Sequence, residues 1–567
     1  MRRRAFLAGA AGAAVAAACA PLAAPPPSAP PSASPLVRDL LSGMSVGAKV
    51  GQLMSVAFHG RVITPAIEAM IRDRRVGGVI LFKENFDDAA SVRRLVVDLQ
   101  RVAREAGTVP LFVSIDQEGG AVVRIGRGAT VLPGQMALAA TPDPAAGVRR
   151  AVAITVRDLR AIGVNWNLAP VADVNDEPRN PVIQNRSFGS DPARVADLVR
   201  VAVSAYAENA FLCCAKHFPG HGSTTVDSHT GLPEIAADLA ELRAVELVPF
   251  QAAIAADVPA IMSAHIRIPA LDPTPDLPVT LSPAVMTGLL RQTLGFRGIT
   301  VTDDLEMAAL RRTATEAESG VRAVIAGADY LLFRFDESAQ AEGHRRLADA
   351  AADGTLPVAR LNASVTRLLE AKSRFGILDG AAPAGNPGVA DDRAAALELA
   401  RGSITLLRNA AVLPLRGRVL ALAPPDPDIA VIEDQPTLGA ALAAVRPDVA
   451  ARPITLRPNS SEIAGAVAAA RDADVVVVGT ADANVNPEQA TLVNALRTVR
   501  PTVVVSLRSP YDILATPNVA AYVCAYTGRE PSVRAACEVL AGMRRPAGRL
   551  PVAIPGAYAL GAGMNDF

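Results

Sequence analysis

Through the first two-thirds of the chain, short apolar runs recur at 76–82, 111–115, 164–174, 210–215, 260–264, 298–302 and 330–333. Nearly every run ends on chemistry. Asp116 and Glu118 follow the second, Asp173 and Asn175 close the third, Lys216 and His217 follow the fourth, His265 the fifth, and Asp303 with Asp304 the sixth. Amphipathic stretches of helical length, such as 192–209 and 238–256, lie between them. Short strands alternating with helices, each strand releasing polar side chains at its carboxyl end, are the signature of a (β/α) barrel. An open, doubly wound sheet would gather its polar residues near one switch point instead. The expectation is an α/β protein whose residues 36–378 form a TIM-like (β/α)8 barrel.

The chain has 567 residues, too many for one core. An Ala, Gly, Pro and Asp-rich stretch, 379–392, reads as a linker, and strand-like runs at 419–423, 474–479, 502–507 and 520–525 predict a C-terminal α/β sandwich domain over 393–567. That second part contains no histidine.

The densest chemistry is the stretch KHFPGHGSTTVDSHTGLP, 216–233. It holds three of the six histidines, His217, His221 and His229, together with Lys216 and Asp227. A merely solvated loop seldom collects such groups around glycines and a proline. Zinc ligation by the three histidines and Asp227 is one reading of the cluster. The Pro219-Gly220 break opposes it, because it prevents two histidines from sharing a helical face, and no glutamate follows His217 as in HExxH. The glycines at 220, 222 and 231 suggest a loop able to move.

Basic and acidic residues balance at 56 each, so no net field attracts nucleic acid or an anionic membrane. The N-terminus is an address: Arg3 and Arg4 precede a short apolar run, 7–18, in a twin-arginine-like export signal. Small residues lead up to Cys19, which reads as a lipidation site, with signal cleavage elsewhere as the alternative; a Pro, Ala and Ser tether follows to residue 35. The protein is therefore expected in the cell envelope, touching membrane only through that lipid. Cys213 and Cys214 are adjacent on a strand and read as buried thiols, whereas Cys524 and Cys537 could pair.

The 216–233 motif, DQEGG at 116–120, NRSFG at 185–189, LGFRGITVTDDLEM at 294–307 and RPAGRLPVAIP at 545–555 together resemble glycoside hydrolase family 3, in its branch of NagZ-type β-N-acetylglucosaminidases. The resemblance spans about 36–555. It implies a retaining exo-β-N-acetylglucosaminidase acting on peptidoglycan-derived muropeptides, with no metal or organic cofactor and a carbohydrate as its partner. Asp303 stands where the family keeps its nucleophile, and His229, oriented by Asp227, where this branch keeps its acid/base. Asp116 is implied to accept from sugar hydroxyls, and Arg124, Arg186, Lys216 and His217 to donate to hydroxyls and the acetamido group. Asp304 is expected to cap the following helix, His221 to make a loop hydrogen bond or touch substrate, and His265 to be structural. One departure is Ala121, where family members often have arginine. Transfer to phosphate, β-glucosidase activity on the same site, and a lipoprotein that only binds peptidoglycan fragments remain as alternatives.

Overall fold

The computed structural model describes residues 33–425 and 435–567. The export signal, Cys19 and most of the tether lie outside the described residues.

The first domain contains strands β1 (Met54–Val56), β2 (Gly78–Ile80), β3 (Phe112–Ile115), β4 (Trp166–Asn167), β5 (Leu212–Cys213), β6 (Ala215–Phe218), β7 (Ala260–Ser263), β8 (Ile299–Asp304) and β9 (Tyr330–Phe333). They form one parallel sheet in the order β5-β4-β3-β2-β1-β9-β8-β7-β6. Its outer strands, β5 and β6, are consecutive pieces of one run broken at Cys214, and Val171 bridges to Lys216 across that break. The sheet thus closes into the expected barrel, β5 and β6 sharing one stave. Crossover helices are set by local signals: Pro192–Glu208 begins with proline in its first turn, after Asp191, whose carboxylate accepts from the Arg194 N–H.

The barrel is plugged from below. Phe112, Trp166 and Tyr330, at the amino ends of β3, β4 and β9, pack ring against ring with centroids 4.9–5.6 Å apart. Under them the buried Lys372 ammonium lies 4.7 Å from the Phe112 ring and donates to Gln52 and the Gly77 carbonyl. With this end filled, the carboxyl ends of the strands are left to form a cavity.

The second domain is a six-stranded sheet of β10 (Thr405–Asn409), β11 (Val419–Ala423), β12 (Val449–Pro453), β13 (Val475–Thr480), β14 (Thr502–Ser506) and β15 (Ala521–Cys524), ordered β10-β15-β14-β13-β11-β12. Only β10 runs antiparallel. Alternate residues of β11, β13 and β14 enter two cores, one under helices Ser460–Ala470 and Pro487–Arg497 and the other under Leu438–Val445 and Glu530–Leu540. This is the expected α/β sandwich. Cys213, Cys214, Cys524 and Cys537 are all buried free thiols.

The stretch 379–392 differs from a plain linker. Its last residues open helix Ala390–Ser403, and it is fastened to the barrel by the Gly388 N–H on Asp158 and by an Arg157–Asp392 ion pair. The domains are joined elsewhere too. Met136, Ala137 and Ala140 of a barrel helix enter a core of the second domain, Asn185 donates to the Tyr526 carbonyl, and the buried Arg529 donates to the carbonyls of Gly120 and Ala121. Gly189 closes the seam: a Cβ there would lie 2.1 Å from the Pro551 carbonyl oxygen. Gly189→Ala is therefore expected to force the domains apart and lower Tm by several degrees in calorimetry, consistent with about 1–3 kcal/mol of overpacking. An unchanged Tm would show that the seam yields.

Candidate active site

Three strand ends supply a buried charge network. Lys216, on β6, places Nζ 2.7 Å from Asp116 Oδ1 and 2.7 Å from Glu118 Oε1, both just beyond β3. Arg186, from the segment after β4, forks onto Glu118 with two 2.9 Å hydrogen bonds, and Arg124 reaches Asp116 at 3.2 Å. Burial opposes the charges of Asp116, Glu118, Arg186 and Lys216, and the partners outweigh it. Asp116 is held well below the usual carboxylate range by Lys216 and Arg124, Glu118 falls to about 2 under Arg186 and Lys216, and Lys216 is raised by the two carboxylates.

Beside this network His217 Nδ1 lies 2.7 Å from Asp173 Oδ2, while Asp173 also accepts the backbone N–H groups of His217 and His221. The other ring nitrogen of His217 faces Arg186 at 3.4 Å. Asp303 is the penultimate residue of β8, its Oδ1 accepting from the Asp304 N–H at 2.8 Å. Burial disfavours its charge, but His217, His265, that N–H and His229 together hold its carboxyl below the ordinary value.

Asp304 corrects an expectation. It does not cap a helix: helix Ala308–Arg311 has Met307 at its cap position, and Asp304 instead accepts from the Glu306 N–H in the preceding turn and lines the cavity. Burial and the charge of Asp303 push Asp304 up to about 7. His265 is structural, with one ring nitrogen on Thr280 and the other on the Asp304 carbonyl. His221 is committed to loop hydrogen bonds, Nδ1 with Thr224 and Nε2 with Ser228, and burial lowers it to about 4, leaving it neutral.

The remaining pair stands on the loop. His229 Nδ1 is 2.7 Å from Asp227 Oδ1, which also accepts the His229 N–H, and the imidazole is 57% exposed. The hydrogen bond to Asp227 raises His229 above the ordinary imidazole value against partial burial, with Asp303 adding to the rise. Two of the three loop glycines are packing residues rather than hinges. A Cβ on Gly222 would meet the Val174 carbonyl at 1.6 Å, and one on Gly220 would meet Glu246 Cβ at 2.7 Å. Asn180 donates to the carbonyls of His221 and Gly222, and Ser223 Oγ lies 2.8 Å from Asp176 Oδ1 and 2.6 Å from Glu246 Oε1. The loop is therefore pinned at its base and exposed above it, around 225–231.

Asp116, Arg124, Arg186, Lys216, His217, His229 and Asp303 all line one cavity of about 280 Å³, and Asp227 stands behind His229. Among the described residues, no three His, Cys, Asp or Glu side chains converge as metal ligands would. Glu118 and Asp173 have no role assignable from the sequence alone, although their placement after strands, beside Asp116 and Asn175, is the available signal. Chemically, the cavity pairs a carboxylate that stays charged with an imidazole that holds its proton, so both are in working form at one pH.

A family model for the N-terminal domain of glycosyl hydrolase family 3 matches residues 45–371, and one for its C-terminal domain matches 404–561. The chain belongs to glycosyl hydrolase family 3. A solved family 3 β-N-acetylglucosaminidase from Paenibacillus sp. str. FPU-7 superposes with a TM-score of 0.85 at 37% identity, over 90% of this chain and 99% of that one. Beta-hexosaminidase A from Pseudoalteromonas piscicida is 37% identical over 391 residues, 64% of this chain and 65% of that protein. The β-N-acetylglucosaminidase/β-glucosidase of Cellulomonas fimi is 36% identical over 61% of this chain and 62% of its own length. The match thus spans somewhat under two-thirds of each of these two relatives.

Glu118 provides a test of the charge network. Glu118→Gln strips a buried partner from Lys216 and Arg186 and is expected to cost about 3–5 kcal/mol of stability near neutral pH. Because the folded value of Glu118 is about 2 against an ordinary 4.5, its contribution is complete above 4.5 and is lost as pH falls toward 2. Calorimetry of both proteins from pH 7 downward should show their Tm values converging.

Proposed function

We propose that this protein is a retaining exo-β-N-acetylglucosaminidase that removes terminal N-acetylglucosamine from peptidoglycan-derived fragments by double displacement. The reading is carried by one arrangement: a buried, charged Asp303 on the cavity wall and a proton-holding His229–Asp227 pair on a loop over the same cavity. The Paenibacillus and Pseudoalteromonas relatives support the sugar. A cavity of about 280 Å³, at the small end for ligand sites, suits one terminal residue.

Asp303 attacks the anomeric carbon while protonated His229 gives its proton to the departing oxygen. The glycosyl-enzyme is then hydrolysed by water that neutral His229 deprotonates, returning the original configuration. Asp227 keeps the ring oriented and its acid form populated. Asp116, Glu118, Lys216, Arg186, Arg124 and His217 are fixed by mutual bonds, so they meet the sugar without reorganising. The twin-arginine-like signal and Cys19 support export and lipid anchoring in the cell envelope.

Asp303→Asn should reduce release from an aryl N-acetyl-β-glucosaminide by on the order of 10⁴-fold, and His229→Ala by about 10²–10⁴-fold. Wild-type turnover in either variant would overturn the assignment. The same substrate run beside aryl glucosides, with and without inorganic phosphate, identifies both the sugar and the acceptor. Asp227→Asn removes what holds the proton on His229, so the alkaline limb of its kcat profile is expected at lower pH than in wild type.

A further inference from the structure

Arg334 follows β9 directly and lines the cavity rim. Its guanidinium carbon is 5.2 Å from the ring centre of Phe82 and 5.2 Å from that of Phe335. Those two rings pack on each other at 5.2 Å, and Phe335 is backed by His59, stacked at 4.6 Å. The aromatic surroundings hold the guanidinium at the rim by cation–π attraction.

The cation is nonetheless poorly compensated. Arg124, Arg186 and Lys216 are each hydrogen-bonded to Asp116 or Glu118, whereas the Arg334 guanidinium makes no hydrogen bond to any described residue, and its buried Nε has no partner. Its nearest carboxylate oxygen, Asp304 Oδ2, is 3.7 Å away, beyond hydrogen-bond reach. Asp304 is also a weak counter-charge, since burial and Asp303 push it up to about 7 and it is largely neutral in mildly acidic solution. Other nearby acids are engaged: Glu84 pairs with His59, and Glu306 accepts the Asp336 N–H. A preoriented, half-exposed guanidinium with unused donors on a cavity wall is a receptor for an anion.

The sugar undergoing cleavage is accounted for by the network around Lys216, so the rim is left to the departing group that His229 protonates. We propose that Arg334, held by Phe82 and Phe335, is a specificity-determining residue that selects glycosides whose leaving group carries a carboxylate. This assignment rests on the glycosidase reading above. The paired carboxylate oxygens accept from the planar N–H edge.

The test compares para-nitrophenyl N-acetyl-β-glucosaminide with its meta-carboxy analogue in wild type, Arg334→Gln and Arg334→Lys. The readout is the ratio of kcat/KM for the charged to the neutral substrate, which a loss of folded enzyme leaves untouched. Arg334→Gln is expected to lower that ratio on the order of tenfold, chiefly through KM of the charged substrate, with Arg334→Lys intermediate because it keeps charge but not the fork. Added salt should lower the wild-type ratio and leave that of Arg334→Gln flat. Equal ratios in wild type and Arg334→Gln would overturn the role of Arg334 alone. Failure of wild type to release nitrophenol from either substrate would overturn the glycosidase reading itself.

Discussion

The active site depends on a buried ammonium shared by two carboxylates. Lys216 sits 2.7 Å from both Asp116 and Glu118, and all three groups are largely removed from water. No member is tolerable alone, since an isolated buried charge is far more costly than a paired one. Satisfying Lys216 therefore draws β3 and β6 together at their carboxyl ends, and satisfying Glu118 recruits Arg186 from the segment after β4. Electrostatic compensation thus also fixes geometry. The aromatic plug beneath confines these groups to one end of the barrel.

Rigidity and mobility are divided along the chain. The groups proposed to face the sugar stand on or just beyond strand ends and are locked by one another, which suits charge stabilisation that must be in place before reaction. The proposed proton donor is treated differently: His229 and Asp227 form a local pair on an exposed loop whose base alone is fixed. A rigid floor beneath an exposed loop leaves the cavity open to solvent on the loop's side. The second domain contributes to the floor indirectly. Arg529 reaches across the seam to hold the carbonyls of Gly120 and Ala121.

The barrel was legible because its strands are short, apolar and each followed by polar residues. Three strands were not. β1 follows helix Val46–Gln52 with only Leu53 between and gives no turn signal, β10 is an antiparallel edge, and β12 is an exposed edge strand reading Val-Ala-Ala-Arg-Pro without an apolar run. The site residues named from the sequence converge because they sit in recognisable motifs. Glu118 and Asp173 were visible as letters but acquire meaning only through Arg186 and His217, which lie 68 and 44 positions away. Asp304 resembled a cap because an acid before a helix commonly is one; a turn intervenes and hands it to the cavity. Gly220 and Gly222 looked like hinges because composition cannot reveal that a side chain of Glu246 and a carbonyl of Val174 fill the adjoining space.

The Ser223 contacts carry a consequence of their own. A serine hydroxyl has one proton, yet its oxygen lies within 2.8 Å of two carboxyl groups, Asp176 and Glu246. One hydroxyl hydrogen satisfies one of them, so the other contact is complete only when a carboxyl supplies its own hydrogen. Burial raises both Glu246 and Asp176 above their ordinary values, which suits one of them to keep that hydrogen. A group raised in this way strengthens the anchor at low pH and releases it as pH rises through its folded value. The loop base thus keeps a proton balance of its own, chemically separate from the imidazole it supports.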